Sequence, residues 1–328
     1  MRARNPHATD SRSSPPTSHG THRTHRGGPR GGPRPAVVPG DGPRTSSSDT
    51  KGILPPAIAK GQDTTPPQGS GAPPRSLEPL RFGLGSSVDR AIEGTSEVAL
   101  LFSGGLDSAL LALLLRERAR SRGLAVHLTT IGLEGSADLQ QSEDAARSLE
   151  MAWSGSQVSR EEVVEAARKV RATERGVAPN AGTGGPEGVA LEVQTGIYLA
   201  LAHAPCSRVL CGQGADELFL GYAHFRPLSG ERLRVRYQED VRRLREVDWP
   251  MSQRLAASLA RDLRAPYLDP SWCAQVESYA LEARRPSGVP KGLLRQLAAL
   301  MGLPETLVQR PKKALQYGSG IHSVLSRA

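Results

Sequence analysis

From Ser96 onward the chain alternates two kinds of hydrophobic pattern. Short apolar runs, SEVALLF (96–102), LAVHLTTIGL (from Leu124) and RVLC (from Arg208), are strand-sized and suit buried strands. Between them lie stretches with helical character: ALLALLLRERARS after the first run, DLQQSEDAARSLE after the second, then REEVVEAARKVRAT and GVALEVQTGIYLALAHA. A further strand is expected around WSGSQVS, and a Gly- and Pro-rich loop, GVAPNAGTGGPEG, precedes the last of those helices. The four arginines Arg116, Arg118, Arg120 and Arg122 close the first helix at its negative dipole end. Strands alternating with helices predict an α/β fold built on a parallel sheet with flanking helices. Residues 230–328 carry Leu and Val at helical spacing, many arginines and no strand run, which predicts a C-terminal helical region packed against that sheet.

Composition divides the chain. Residues 1–75 contain no Phe, Trp or Tyr and hold 11 Gly and 14 Pro. Such a segment buries too little apolar surface to offset its ordering entropy, so it is expected to be a disordered tail, with residues 76–328 forming the folded domain. The tail carries 11 Lys or Arg against 4 Asp, a net +7 of the chain's +9. Basic character therefore belongs to the tail, as solvated charge or as upstream sequence from an early start, and contact with nucleic acid is expected only weakly and only through it.

No apolar stretch reaches the length of a membrane span, and residues 1–36 lack the apolar centre of a secretory signal, so a cytoplasmic protein with no membrane partner is expected. Three cysteines, Cys206, Cys211 and Cys273, form no CxxC pair; they read as small core residues rather than as disulfides or zinc ligands.

The chemistry concentrates where the first strand meets its helix, at FSGGLDS (102–108). Ser-Gly-Gly at a strand end exposes backbone N–H groups free of Cβ atoms, and the helix that follows points its positive end at the same place. Ser103 and Ser108 add hydroxyl donors, making an anion site. Asp107 would repel phosphate unless a cation lay between them, which implies Mg²⁺. Neither a Walker-type GxxxxGK followed by Ser or Thr nor a GxGxxG occurs in the chain.

SGGLDS resembles the pyrophosphate-binding loop of the ATP pyrophosphatase superfamily. Within it, VLCGQGADELFLGY (209–222) is similar to the second signature of the asparagine synthetase synthetase domain, commonly SGEGSDE. LRAPYLD (263–269) is similar to that family's EARVPFLD, and LPETLVQRPKKALQYGSG, from Leu303, to its LP-x-x-I-x-x-R-x-K segment. IGLEGSADLQQSEDAARSLE is a weaker match to the loop and helix after the family's second strand. The resemblance runs over about residues 78–320 and implies an adenine nucleotide α-hydrolase-like fold.

The resemblance also implies a site. Ser103, Gly104, Gly105, Asp107 and Ser108 would hold pyrophosphate, and Asp107 with Asp216 would share Mg²⁺. Leu101, Ile131, Cys211 and Gly212 match adenosine-contacting positions; Lys312 and Arg264 match a charge-neutralising lysine and a phosphate-binding arginine. Thr195 and Tyr198 are candidates for the acid pocket. Read as structure alone, Asp216 would cap the helix of ELFLGYAHF, Arg264 and Lys312 would be solvated charges, Thr195 and Tyr198 would be helix packing, and His127 and His203 would be structural. The implied activity is a ligase of carbon–nitrogen bonds in asparagine biosynthesis. Aspartate is adenylated by ATP to β-aspartyl-AMP, ammonia displaces AMP, and AMP and pyrophosphate are released.

Two departures bear on that expectation. With Arg2 at position 2 in place of the catalytic cysteine, a chain lacking the glutaminase domain is expected, so that free ammonia or a separate glutaminase subunit would supply nitrogen. The family's Glu in SGEGSDE is here Gln213, which cannot accept a proton; loss of a base commonly costs about 10²–10⁴ in rate. Adenylation of another carboxylate, as in β-lactam synthetases, or a nucleotide-binding regulatory role with little turnover, are the alternatives.

Overall fold

The computed structural model describes residues 76–175, 187–310 and 315–327. The tail over 1–75, most of the Gly- and Pro-rich loop before the fifth helix, and Lys312 lie outside the described residues.

Five strands form one parallel sheet in the order β3-β2-β1-β4-β5: β1 (Glu97–Leu101), β2 (Ala125–Gly132), β3 (Trp153–Gln157), β4 (Arg208–Leu210) and β5 (Asp262–Arg264). The first four coincide with the runs expected as strands. The fifth corrects the expectation of a strandless C-terminal region: Leu263 pairs with Val209 at the sheet edge. Three residues carry no readable alternation, and only the exposed edge of β4 makes them a strand.

The helices are α1 (Glu78–Ala91), α2 (Leu106–Arg122), α3 (Ala137–Ser148), α4 (Arg160–Arg175), α5 (Val189–Ala202) and the single turn α6 (Ala215–Leu218). They continue with α7 (Gly230–Arg243), α8 (Trp249–Ser258), α9 (Pro270–Glu277), α10 (Leu281–Arg284), α11 (Gly292–Leu300), α12 (Glu305–Val308), α13 (Leu315–Gly318) and α14 (Ile321–Leu325). Residues 244–248 join α7 to α8 as a π-helical turn.

Layering explains the apolar pattern. Positions 108–115 of α2 are all buried, so this helix has no solvent stripe over its first turns: the sheet covers one side, and α1, α11 and α12 cover the other. Tyr267 of the LRAPYLD segment and Trp272 of α9, both fully buried, pack into the same layer. On the opposite face α4, α5, α8 and α14 enclose Ile131, Val163, Val170, Tyr198 and Leu255. A smaller cluster, Leu220, Phe225, Leu233, Tyr237 and Val241, seats α7 against the loop that follows α6.

This order fixes where a ligand can enter. From β1 the chain runs outward through β2 and β3, then returns to the other side of β1 as β4. Loops leaving β1 and β4 therefore diverge and open a crevice at the carboxyl ends of the strands, the place where parallel sheets bind ligands. The two signatures found in the sequence are those two loops.

Candidate active site

A cavity of about 580 Å³ fills that crevice. Of the expected site residues, Leu101, Ser103, Gly105, Asp107, Ser108, Ile131, Cys211, Gly212, Gln213 and Asp216 line it. Leu101 and Ile131 end adjacent strands and, with Val193 and Ile197 of α5, give one end an apolar wall.

At the other end the β1–α2 loop forms a tight cradle. Ser108 Oγ donates to the Gly105 carbonyl at 3.2 Å and lies 3.3 Å from Ser103 Oγ. Gly104 has φ +66°, and a Cβ there would stand 2.9 Å from Arg310 Nη1, the Gln141 carbonyl and Ser142 Cα, so only glycine fits. Arg310 fastens this loop to α3, donating from Nη1 to the Gly104 carbonyl (2.7 Å) and the Gln141 carbonyl (3.0 Å). Tyr267 Oη donates to the Asp107 carbonyl at 3.1 Å, tying the start of α2 to the LRAPYLD segment.

Asp107 and Asp216 come together as expected, but on a cation that sequence reasoning missed. Lys291 Nζ lies 2.5 Å from Asp107 Oδ2 and 2.8 Å from Asp216 Oδ1, with the lysine side chain only 6% exposed. Burial works against the ammonium, yet the two carboxylates outweigh it and hold its pKa above the ordinary lysine value. Lys291 is also a non-glycine residue at φ +57°, a conformation that costs of order 1–3 kcal/mol and is retained where the surroundings over-determine it. Its N–H donates to the Phe219 carbonyl at 3.1 Å, which seats the backbone. Gly221 leaves room for the pair, since a Cβ there would meet Asp216 Oδ1 at 2.2 Å and Lys291 Cε at 2.3 Å. Asp216 lies inside the first turn of α6 behind an N-cap at Gly214, so it is not the helix cap.

Gln213 is held in a chain of neutral groups. Its Nε2 donates to Ser252 Oγ at 3.1 Å, and its Oε1 accepts from Cys211 Sγ at 3.6 Å. Ser252 Oγ lies 3.1 Å from Gln194 Oε1 and 3.0 Å from the Asp248 carbonyl, to which Gln194 Nε2 also donates at 3.1 Å. Burial pushes the Cys211 thiol up to about 12, so it stays protonated as the donor.

The remaining wall comes from α6, the loop after it, α7 and the π-helical turn: Glu217, Tyr222, His224, Arg236, Asp240, Arg243 and Asp248. Tyr222 Oη donates to Glu217 Oε1 at 2.7 Å. Burial raises the Asp248 pKa, opposed by Arg243 at 3.4 Å.

Other expected residues fall elsewhere. Arg264 is on the edge strand, half exposed, its guanidinium 2.7 Å from Asp262, and it does not line the cavity. Thr195 and Tyr198 face away from the cavity, Tyr198 lying under the Lys169 ammonium at 5.9 Å, while Ala190, Val193, Gln194 and Ile197 take the cavity side of α5. The basic residues that the described structure does bring to the cavity are Lys291, Arg295 and Arg310 beside the cradle and Arg236 and Arg243 opposite. No spacing in VPKGLLRQ singles out Lys291; Arg310 stands in the segment from Leu303 already matched to the family, as the first residue of RPKK.

Residues 80–287 match the family described as asparagine synthase. A protein of Methanocaldococcus jannaschii named putative asparagine synthetase (glutamine-hydrolyzing) 1 is 31% identical over 280 residues, covering 74% of this chain and 49% of the relative. The asparagine synthetase (glutamine-hydrolyzing) of Homo sapiens is 27% identical over 254 residues, covering 75% of this chain and 43% of the relative. The chain thus spans about half the length of the curated relatives it matches. Among solved structures, an NMN synthetase from Francisella tularensis shares 14% identity at a TM-score of 0.38, over 74% of this chain and 77% of that one. With the family's match covering most of the described domain, the chain belongs to the asparagine synthase family.

Proposed function

We propose that the chain is an ATP-dependent ligase that adenylates a carboxylic acid, aspartate being the first candidate, and transfers the acyl group to ammonia. The supporting observation is the meeting of Asp107, Asp216 and Lys291 beside the Ser103–Ser108 cradle at the switch point of the sheet.

In this reading the backbone N–H groups of the cradle, Ser103 and Ser108 hold the β and γ phosphates, and the apolar end at Leu101, Ile131 and Ile197 takes the adenine. Asp107 and Asp216 are hard oxygen donors close enough to share one ammonium, a donor set that also fits Mg²⁺. When bound there, Mg²⁺ would offset the repulsion between phosphates and carboxylates. The substrate carboxylate attacks the α-phosphorus, the bond to the β-phosphate oxygen breaks, and pyrophosphate leaves. Lys291, with Arg310 and Arg295 nearby, supplies positive charge to the departing phosphates. Ammonia then attacks the acyl carbon of the acyl-adenylate, and AMP departs. Positioning and charge do most of this chemistry.

Gln213 specifically favours keeping a second reading: a neutral amide in place of the family's Glu suits an acid other than aspartate. Pyrophosphate and AMP release from ATP with Mg²⁺, aspartate and ammonium, with asparagine measured in the same tube, separates them. Stoichiometric asparagine and pyrophosphate support the first reading. ATP binding with no aspartate-dependent turnover sinks it and leaves another carboxylate, a missing nitrogen-supplying partner or a regulatory nucleotide site.

A further inference from the structure

The amidation step needs a proton acceptor, and the residue in the expected place for one is Gln213. As the nitrogen lone pair forms the C–N bond and the acyl C–O bond to AMP breaks, one proton must leave nitrogen for a neutral amide to result. Gln213 has no basic atom. Of the carboxylates lining the cavity, Asp107 and Asp216 hold Lys291, Glu217 accepts from Tyr222, and Asp248 faces Arg243.

His224 differs from these. It sits in the 3-10 turn Ala223–Phe225 and lines the same cavity. Its Nε2 lies 2.6 Å from Asp240 Oδ2, and Asp240, only 10% exposed, is braced on its other oxygen by Arg236 Nη2 at 2.9 Å. Tyr222 stacks on the imidazole at 5.3 Å between centroids and Phe225 tilts against it at 4.5 Å, which fixes the ring plane. A carboxylate on Nε2 selects the tautomer with hydrogen on that nitrogen and leaves the Nδ1 lone pair as the acceptor. Around the ring stand Asp240 and Arg236 from α7, the Glu217–Tyr222 pair, and Arg285, which donates to the Phe225 carbonyl; Arg243 and Asp248 line the same cavity.

We propose that His224 is the general base that takes the proton from the attacking nitrogen, with Asp240 as its positioning residue; this rests on the adenylation reading above. The reaction balances as acyl-adenylate plus ammonia giving amide, AMP and His224 imidazolium, which later returns its proton to water.

The test uses the full chain and separates the two half-reactions. Acid-dependent exchange of pyrophosphate into ATP reports adenylation, and amide formation, corrected to free-base ammonia, reports transfer; each protein amino acid is offered in turn as the acid. His224→Gln should lower the ratio of amide formation to exchange by about 10²–10⁴ and flatten the pH dependence of amidation. Hydroxylamine, a strong neutral nucleophile, should restore acyl transfer in that variant as hydroxamate. Asp240→Asn should shift the same ratio less, about tenfold, and displace the pH limb. An unchanged ratio and pH profile in His224→Gln overturns the role of His224 while leaving the adenylation reading intact. Absence of exchange in the unaltered protein with every amino acid overturns both.

Discussion

Replacing Lys291 by methionine would leave Asp107 and Asp216 facing each other across a space the methionine cannot neutralise. Because the lysine side chain is 6% exposed, this resembles breaking a buried ion pair, which costs about 3–5 kcal/mol. A drop of that size in the unfolding free energy from urea titration is expected, with adenylation lost even where the variant folds. The folded pKa of Lys291 is raised, so its contribution is fully present below the unfolded lysine value near 10.4 and is lost only as pH climbs through the higher folded value. The gap between the two proteins should therefore stay constant from about pH 6 to 10; a gap that closes near neutrality would mean the ammonium is not held by the pair. Lys291 was illegible in the sequence for a physical reason: an ammonium placed by a left-handed backbone residue has no pattern of neighbours to mark it, while SGGLDS announces itself through its glycines.

At the scale of elements, the LRAPYLD segment shows how a family motif can be architectural. Asp269 caps α9, accepting from the Trp272 N–H at 3.1 Å, and holds Arg90 of α1 through two hydrogen bonds of 2.8 and 2.6 Å. The Arg90 guanidinium, first by hydrogen bonding, holds the Asp269 carboxyl below the usual carboxylate range. Asp269→Ala should cost about 1–2 kcal/mol, mostly the cap, because Arg90 is 47% exposed and its bridge is screened. With a depressed folded pKa the contribution is present above about pH 4 and fades as pH falls through the lowered value, so the two denaturation curves should converge in acid below it. Curves that stay equally separated in acid would show the effect to be packing instead. The same motif contributes Tyr267, whose hydroxyl braces Asp107 from behind, whereas Arg264, expected to bind phosphate, turns to Asp262 on the sheet edge.

At the scale of the molecule, the cavity draws its wall from the β1–α2 loop, the β4–α6 loop, α5, α7, the start of α11 and Arg310. A ligand that bridges these segments must stabilise the fold as a whole. MgATP at about 100 times its Kd should add about 2.7 kcal/mol, worth about 2–4 °C in Tm per kcal/mol for a domain of this size. Cradle variants such as Gly104→Ala should lose that shift. An unchanged Tm with saturating MgATP would remove the nucleotide from the site.

The order of strands and helices from Glu97 to Leu210, the Ser103–Ser108 cradle, both aspartates and the identity of the family were determined by the sequence, because each is written in local periodicity, in glycine's freedom or in contiguous motifs. Tertiary structure alone decided the rest. It chose which side of β1 receives β4, made a strand of Asp262–Arg264, and brought Lys291, Arg310 and the His224–Asp240 pair to one cavity. Those outcomes depend on contacts between residues far apart in the chain, and a side chain's position in such a contact leaves no trace in its neighbours along the sequence.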